Sequence, residues 1–162
     1  MSVAAPRLVE RPVSSRDLVE PIRDVSHEIL RLIVPEMVAE GMAPSTFWPL
    51  HHLDRTKERH PSRLARRLGV TPAACTASVD QLVERGYVVR RPSEADRRQI
   101  ELAVTPKGHR ALEAVWRGFA TSLEERLVGI PPDELAVTAR TLSTVARILR
   151  GNSSESRSGE RP

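Results

Sequence analysis

Arginine recurs in this chain at spacings suited to holding a polyanion. Arg63, Arg66 and Arg67 cluster first, Arg90 and Arg91 are adjacent, and Asp96 is followed at once by Arg97 and Arg98. A guanidinium stays charged and presents a rigid fork of donors, which suits phosphate oxygens and the negative floor of a narrow minor groove. Between these clusters lies a segment whose outward positions are short and uncharged: Thr71, Pro72, Ala73, Thr76, Ala77 and Gln81. Threonine and alanine can touch a thymine methyl, and glutamine can pair with the edge of adenine. Asp80, in the same segment, would be repelled by phosphate and is expected to pair with a nearby arginine.

The charge balance has the same focus. From residue 55 to 98 there are eleven Lys or Arg against five Asp or Glu, an excess of six where the whole chain has four. The remainder is therefore slightly acidic, and the polyanion belongs at one face. Each cluster also has a plainer reading. Residues 71–81 could be a solvated helix of small residues, Arg97 and Arg98 an ordinary charged hairpin tip, and Arg90 and Arg91 solvated strand ends. Arg63 is taken with the backbone-contacting group.

Other chemistries are less supported. Nothing resembles a P-loop, a dinucleotide fingerprint, a nucleophile elbow or paired catalytic carboxylates, so an enzyme is not expected and no cofactor is implied. The single cysteine, Cys75, excludes an intrachain disulfide framework. It is either a redox sensor, where oxidation would disturb docking, or a small buried hydrophobe. His51, His52 and Asp54, with His27 and His60 elsewhere, raise metal binding. Adjacent helical histidines point about 100° apart, however, and no zinc-ligand spacing occurs, so no metal is expected. His27, Trp48, His51 and His52 are instead read as the lining of a ligand pocket or a dimer seam, with plain packing as the alternative. No apolar run is long enough to span a membrane, and Arg7, Glu10 and Arg11 interrupt any signal-peptide pattern, so the expected compartment is the cytoplasm.

The elements that must position these residues are mostly helical. Residues 1–14 are expected to form a mobile arm and residues 151–162 a disordered tail, with a single domain over 15–150. A first helix is expected over about 18–40, kinked or restarted at Pro35. A second follows over 46–57 with Ser45 as its cap and Pro49 at the edge of its first turn. A third ends at Gly69, and Thr71-Pro72 opens a fourth that stops at Gly86. Strands over 87–91 and 99–104 make a hairpin. Thr105-Pro106 opens a fifth helix and Pro132 a sixth, both with apolar stripes. Helix, turn, helix and basic hairpin over 45–105 form a winged helix-turn-helix, in which one helix enters the DNA major groove.

The runs Arg63-Leu64-Ala65-Arg66-Arg67-Leu68-Gly69-Val70-Thr71-Pro72 and Val79-Asp80-Gln81-Leu82-Val83-Glu84-Arg85-Gly86-Tyr87-Val88 resemble the MarR (multiple antibiotic resistance regulator) family. So do Asp96-Arg97-Arg98 and Leu102-Ala103-Val104-Thr105-Pro106-Lys107-Gly108. The resemblance implies a mostly α fold, with a helical dimerisation layer (15–42 and 106–150) and a two-stranded β wing. It implies a homodimer built on the first, fifth and sixth helices, and often a small-ligand pocket between the layers. On it, Arg98 reaches the minor groove and Asp96 holds it. The family's mid-helix basic residue is matched here by Ala77, so guanine readout from that position is not expected. Peroxide-sensing relatives usually keep their thiol in the first helix, unlike Cys75. The function expected is that of a homodimeric repressor on a pseudo-palindromic double-stranded DNA operator, released by a small apolar or phenolic effector. The alternatives are a thiol-based regulator acting through Cys75 and a winged-helix protein-interaction module that binds no DNA.

Overall fold

The structure is a computed structural model and describes residues 14–56, 59–93, 96 and 98–155. It contains six helices and one hairpin in the order α1 (Ser15–Ala39), α2 (Pro44–Arg55), α3 (Pro61–Leu68), α4 (Pro72–Glu84), β1 (Val88–Pro92), β2 (Ile100–Val104), α5 (Pro106–Leu127) and α6 (Pro132–Glu155). The chain divides into two units, one ending at Glu125 and one beginning at Arg126.

The first unit has a single core. Ile33 and Met37 of α1, Phe47, Leu50 and Leu53 of α2, and Leu64 and Ala65 of α3 are buried in it. Cys75, Val79 and Leu82 of α4, Val88 and Leu102 of the hairpin, and Ala111, Leu112 and Val115 of α5 join it, with Met42 and Tyr87 from the connections. With 3% aromatic residues, this core rests on branched aliphatics around Phe47.

Local signals explain most boundaries. The Asp17 carboxylate accepts from both the backbone N–H and the hydroxyl of Ser14, which caps α1. Gly69 ends α3 in a left-handed conformation, with φ of 68°. Thr71 then accepts from the Ala74 N–H at 3.2 Å, and Pro72 takes the first helical position of α4. Thr105 donates to the Gly86 carbonyl at 2.7 Å and accepts from the Gly108 N–H at 3.1 Å, so one hydroxyl caps α5 and anchors it to the turn after α4. A Cβ at Gly108 would collide with the Tyr87 carbonyl oxygen, so only glycine lets α5 approach the hairpin this closely.

Four expectations are corrected. Of the two outcomes expected at Pro35, a kink or a restart, the restart does not occur, since α1 is continuous with Pro21 and Pro35 inside it. Burial of Ile33 and Met37 on either side of Pro35 holds both turns against the core and offsets the lost hydrogen bond. The cap of α2 is Ala43, not Ser45: Thr46 accepts from the Ala43 N–H at 3.2 Å and donates to its carbonyl at 2.9 Å, with Pro44 first in the helix. Pro49 therefore lies well inside α2, where it is buried, rather than at the edge of the first turn. At the far end, α6 continues through Gly151 to Glu155, where the tail was expected to start. One helical glycine costs about 1 kcal/mol, which need not stop a helix already propagating. Residues 1–13 and 156–162, the rest of the expected arm and tail, lie outside the described residues.

The hairpin is antiparallel, with Val88 opposite Val104 and Arg90 opposite Leu102. Its second strand is fixed on its other edge by the Leu102 N–H, which donates to the Arg59 carbonyl at 2.9 Å. The Tyr87 hydroxyl donates to the Glu40 carbonyl at 3.0 Å and ties the end of α1 to the start of the hairpin.

Two apolar surfaces remain uncovered within their own units. On α1, Leu18, Val19, Ile22, Val25, Ile29 and Leu30 are all exposed. On α6, Val137, Leu142, Ile148 and Leu149 are exposed.

Candidate nucleic-acid interface

The α3–turn–α4 segment shows two faces with different chemistry. Cys75, Val79 and Leu82 are buried, which fixes the rotation of α4 about its axis. That rotation leaves Thr71, Pro72, Ala73, Thr76, Ala77, Asp80 and Gln81 exposed, as their spacing implies. The exposed side chains of the first two turns are short and uncharged, so the helix backbone can approach a groove floor closely. Arg63 and Arg66 are exposed on α3.

Asp80 is paired as expected. Its Oδ1 accepts from Nη2 of Arg90 at 2.6 Å. Arg90 is therefore committed to the helix beside it and is not simply a loose phosphate contact. Arg91 is half-buried and its Nε is shielded, which is unlike a solvated strand end.

At the wing tip, Asp96 acts on the backbone. Its Oδ1 accepts from the Arg98 N–H at 3.0 Å and its Oδ2 from Nε2 of Gln99 at 3.1 Å. The Gln99 N–H donates to the Asp96 carbonyl at 2.8 Å, closing the turn. Asp96 thus holds Arg98 through the main chain and not through the guanidinium, because an aspartate two residues ahead is well placed to cap a turn amide. Arg98 itself is exposed. Arg97 lies outside the described residues.

A cavity of about 590 Å³ opens between α2, α3 and α4. Trp48, His51 and His52 line it, as grouped from sequence, but His27 does not. His27 is exposed on α1, with Nδ1 3.6 Å from Glu28. Sequence reasoning missed Arg67 and Leu68 from α3 and Ala74, Cys75 and Ser78 from the back of α4. A signal was available for Cys75 and Ser78: they lie three apart on the side of α4 opposite the small-residue face.

His51 is the best-defined group in the cavity wall. Its Nδ1 accepts from Nε1–H of Trp116 at 3.3 Å, and its ring stacks parallel to Phe47 with centroids 5.9 Å apart. Burial chiefly, then the Arg55 charge, lowers its pKa below the ordinary imidazole value, although Asp54 pulls the other way. The ring is therefore neutral at pH 7, with its remaining proton on Nε2. Next to it, Oδ1 of Asp54 meets Nδ1 of His109 at 2.6 Å and joins α2 to α5. This pair also escaped sequence reasoning, because no local pattern links residues 54 and 109.

Cys75 is only 2% exposed, and burial raises the pKa of its thiol. Among the described residues no three His, Cys, Asp or Glu side chains converge on a possible metal position. No helix among them is long and apolar enough to cross a membrane.

Comparison with known proteins points to one family. The sequence profile of the MarR family matches residues 40–99, the segment from the end of α1 through α2, α3, α4 and the hairpin tip. The chain is 25% identical over 138 residues to the HTH-type transcriptional repressor MdtR of Bacillus subtilis, covering 83% of this chain and 89% of that one. It is 38% identical over 103 residues to the transcriptional repressor MprA of Escherichia coli, covering 55% and 58%. Among solved structures, CouR from Rhodococcus jostii RHA1 bound to p-coumaroyl-CoA superposes with a TM-score of 0.63 at 25% identity, over 82% of this chain and 93% of CouR. With a recognition helix, a basic hairpin and repressors as relatives, the chain belongs to the MarR family and is a DNA-binding transcription regulator.

Proposed function

We propose that the protein is a homodimeric repressor that binds a pseudo-palindromic operator and lets go of it when a small apolar or phenolic effector binds. The observation that carries the dimer is the stripe on α1. Leu18, Ile22, Val25 and Ile29 recur at helical spacing and are exposed, while Ile33 and Met37 further along the same helix are buried. Burying such a stripe is worth about 25 cal/mol per Å² of apolar surface, which favours a second copy of the same helix over water. A two-fold axis would then present two copies of α4 to one face of the duplex.

The cavity behind α4 supports the effector. Its volume lies within the range of about 300–1,000 Å³ common for small-molecule sites. Trp48, Pro49, Leu68 and Val70 supply apolar wall, and Arg67 and His51 supply polar points. CouR, a relative of the same fold, was solved with a p-coumaroyl thioester bound. An occupant behind Ala74, Cys75 and Ser78 would press on the helix that reads DNA, so a ligand favouring a displaced α4 weakens binding by its differential affinity for the two states.

The two alternatives fare worse. A raised thiol pKa leaves little thiolate at neutral pH, which counts against a peroxide sensor at Cys75. The repressor relatives count against a protein-interaction module. The reading is tested by enriching bound duplexes from a randomised library. Light scattering and mobility shifts on the enriched duplex then follow, with and without a panel of hydroxycinnamates and apolar phenols. A species of twice the 18.0 kDa chain mass, and release by at least one compound, are expected. A monomer that binds a single asymmetric site would overturn the reading.

A further inference from the structure

The Asp80–Arg90 pair is poorly explained by stability alone. The two side chains are 54% and 41% exposed, and an exposed pair of this kind contributes little to folding. Its position is more telling. Asp80 lies one turn beyond Thr76 and Ala77 on the exposed face of α4, so a carboxylate closes the face that has to meet a polyanion. Arg90 leaves β1 on the same side as buried Val88, two residues earlier, and so runs along α4 instead of away from it. The ion pair therefore fixes a guanidinium at the seam between recognition helix and wing.

We propose that Asp80 is a specificity-determining residue, which holds Arg90 at that seam and cancels its charge until the correct groove is presented. This rests on the assignment of α4 and the hairpin as the DNA-facing surface. A lone Arg90 would swing to any phosphate within reach and add equally to every sequence. Tied to Asp80, it can use only the donors the carboxylate leaves, in one direction. The carboxylate meanwhile repels phosphates that approach out of register. Affinity for arbitrary DNA falls, and the preference for a matching site rises.

The test uses the full-length protein on two duplexes: one enriched by the wild type from a randomised library, and one of the same length and composition with its sequence scrambled. D80N should bind the scrambled duplex about three- to tenfold more tightly, the scale of one exposed charge per subunit, without gaining on the enriched one. Its salt dependence on the scrambled duplex should steepen by about two units of slope for a dimer, because both Arg90 charges become available to phosphate. D80E, which keeps the charge, should restore part of the preference. On the enriched duplex R90A should cost more affinity in the wild type than in the D80N background, because only the wild type holds Arg90 in the direction the matching groove requires. A D80N protein with an unchanged ratio between the two duplexes, or with equal losses on both, would overturn the proposal. So would strictly additive D80N and R90A effects. If D80N melts early in circular dichroism, R90A and D80E alone carry the same contrast. A wild type that enriches no duplex would sink the DNA-facing assignment, and this proposal with it.

Discussion

Around Asp80, helix α4 and its cap expose the uncharged Thr71, Ala73, Thr76, Ala77 and Gln81, whereas the hairpin beside them carries Arg90, Arg91 and Arg98. An ion pair between Asp80 and Arg90 joins the two. On the proposed reading the difference separates two jobs. Small side chains would let the helix settle against base edges, where they can read methyl groups and adenine. An exposed arginine at the flank, Arg98 above all, would supply the salt-dependent attraction to the backbone and reach the narrow groove. Affinity and selectivity should therefore respond to different residues, and substitution can pull them apart.

The largest effect is expected at the wing. Arg98→Ala should weaken binding to the enriched duplex about five- to a hundredfold, the worth of a desolvated charge-assisted contact, and flatten the salt slope by about two units for the dimer. Arg110→Ala, which removes an exposed charge from α5, should do neither. Equal binding by both variants would mean that the wing does not touch DNA. Gln81→Ala sharpens the contrast from the other side. It should relax the preference at one base pair in each half-site, by about tenfold or less, and leave the salt slope unchanged. A changed slope would place Gln81 on the backbone instead.

Thr71→Ala tests how α4 is held. It removes the cap on the Ala74 N–H and should cost about 1 kcal/mol of stability, read as a lower melting temperature. The smallest effect concerns His51. Its folded pKa lies below the unfolded value of about 6.5, so the unfolded chain takes up the proton first as the pH falls. The stability due to neutral His51 is thus present above about pH 6.5 and is lost as the pH drops toward the folded pKa. His51→Gln should narrow the difference in melting temperature between about pH 7.5 and about pH 5.5. An unchanged difference would assign that pH dependence to other groups.

How much of this was legible in sequence depended on distance along the chain. Thr71-Pro72, Thr105-Pro106 and Gly69 mark boundaries that the structure reproduces, because a cap acts within three residues of itself. Misreadings arose where tertiary burial overrides local preference. Pro35 and Pro49 sit inside continuous helices because their neighbours are anchored in the core. At α2 the cap came from Thr46 reaching back to Ala43, so the hydroxyl that matters lies after the boundary and not at it. The site was legible in its residue types and less so in its wiring. Asp80 was expected to find an arginine, but not Arg90 in particular. His27 was grouped with Trp48, His51 and His52 by chemistry alone, and α1 carries it elsewhere. Arg67 was hidden by counting it only as charge, although it faces the cavity.

Hydroxyl-radical footprinting on the enriched duplex tests the central claim most directly. Two recognition helices related by a two-fold axis should protect two half-sites on one face of the DNA, with centres roughly 10–10.5 base pairs apart and an inverted-repeat sequence beneath them. Protection of one asymmetric half-site at full affinity would contradict a homodimer acting on a pseudo-palindromic operator.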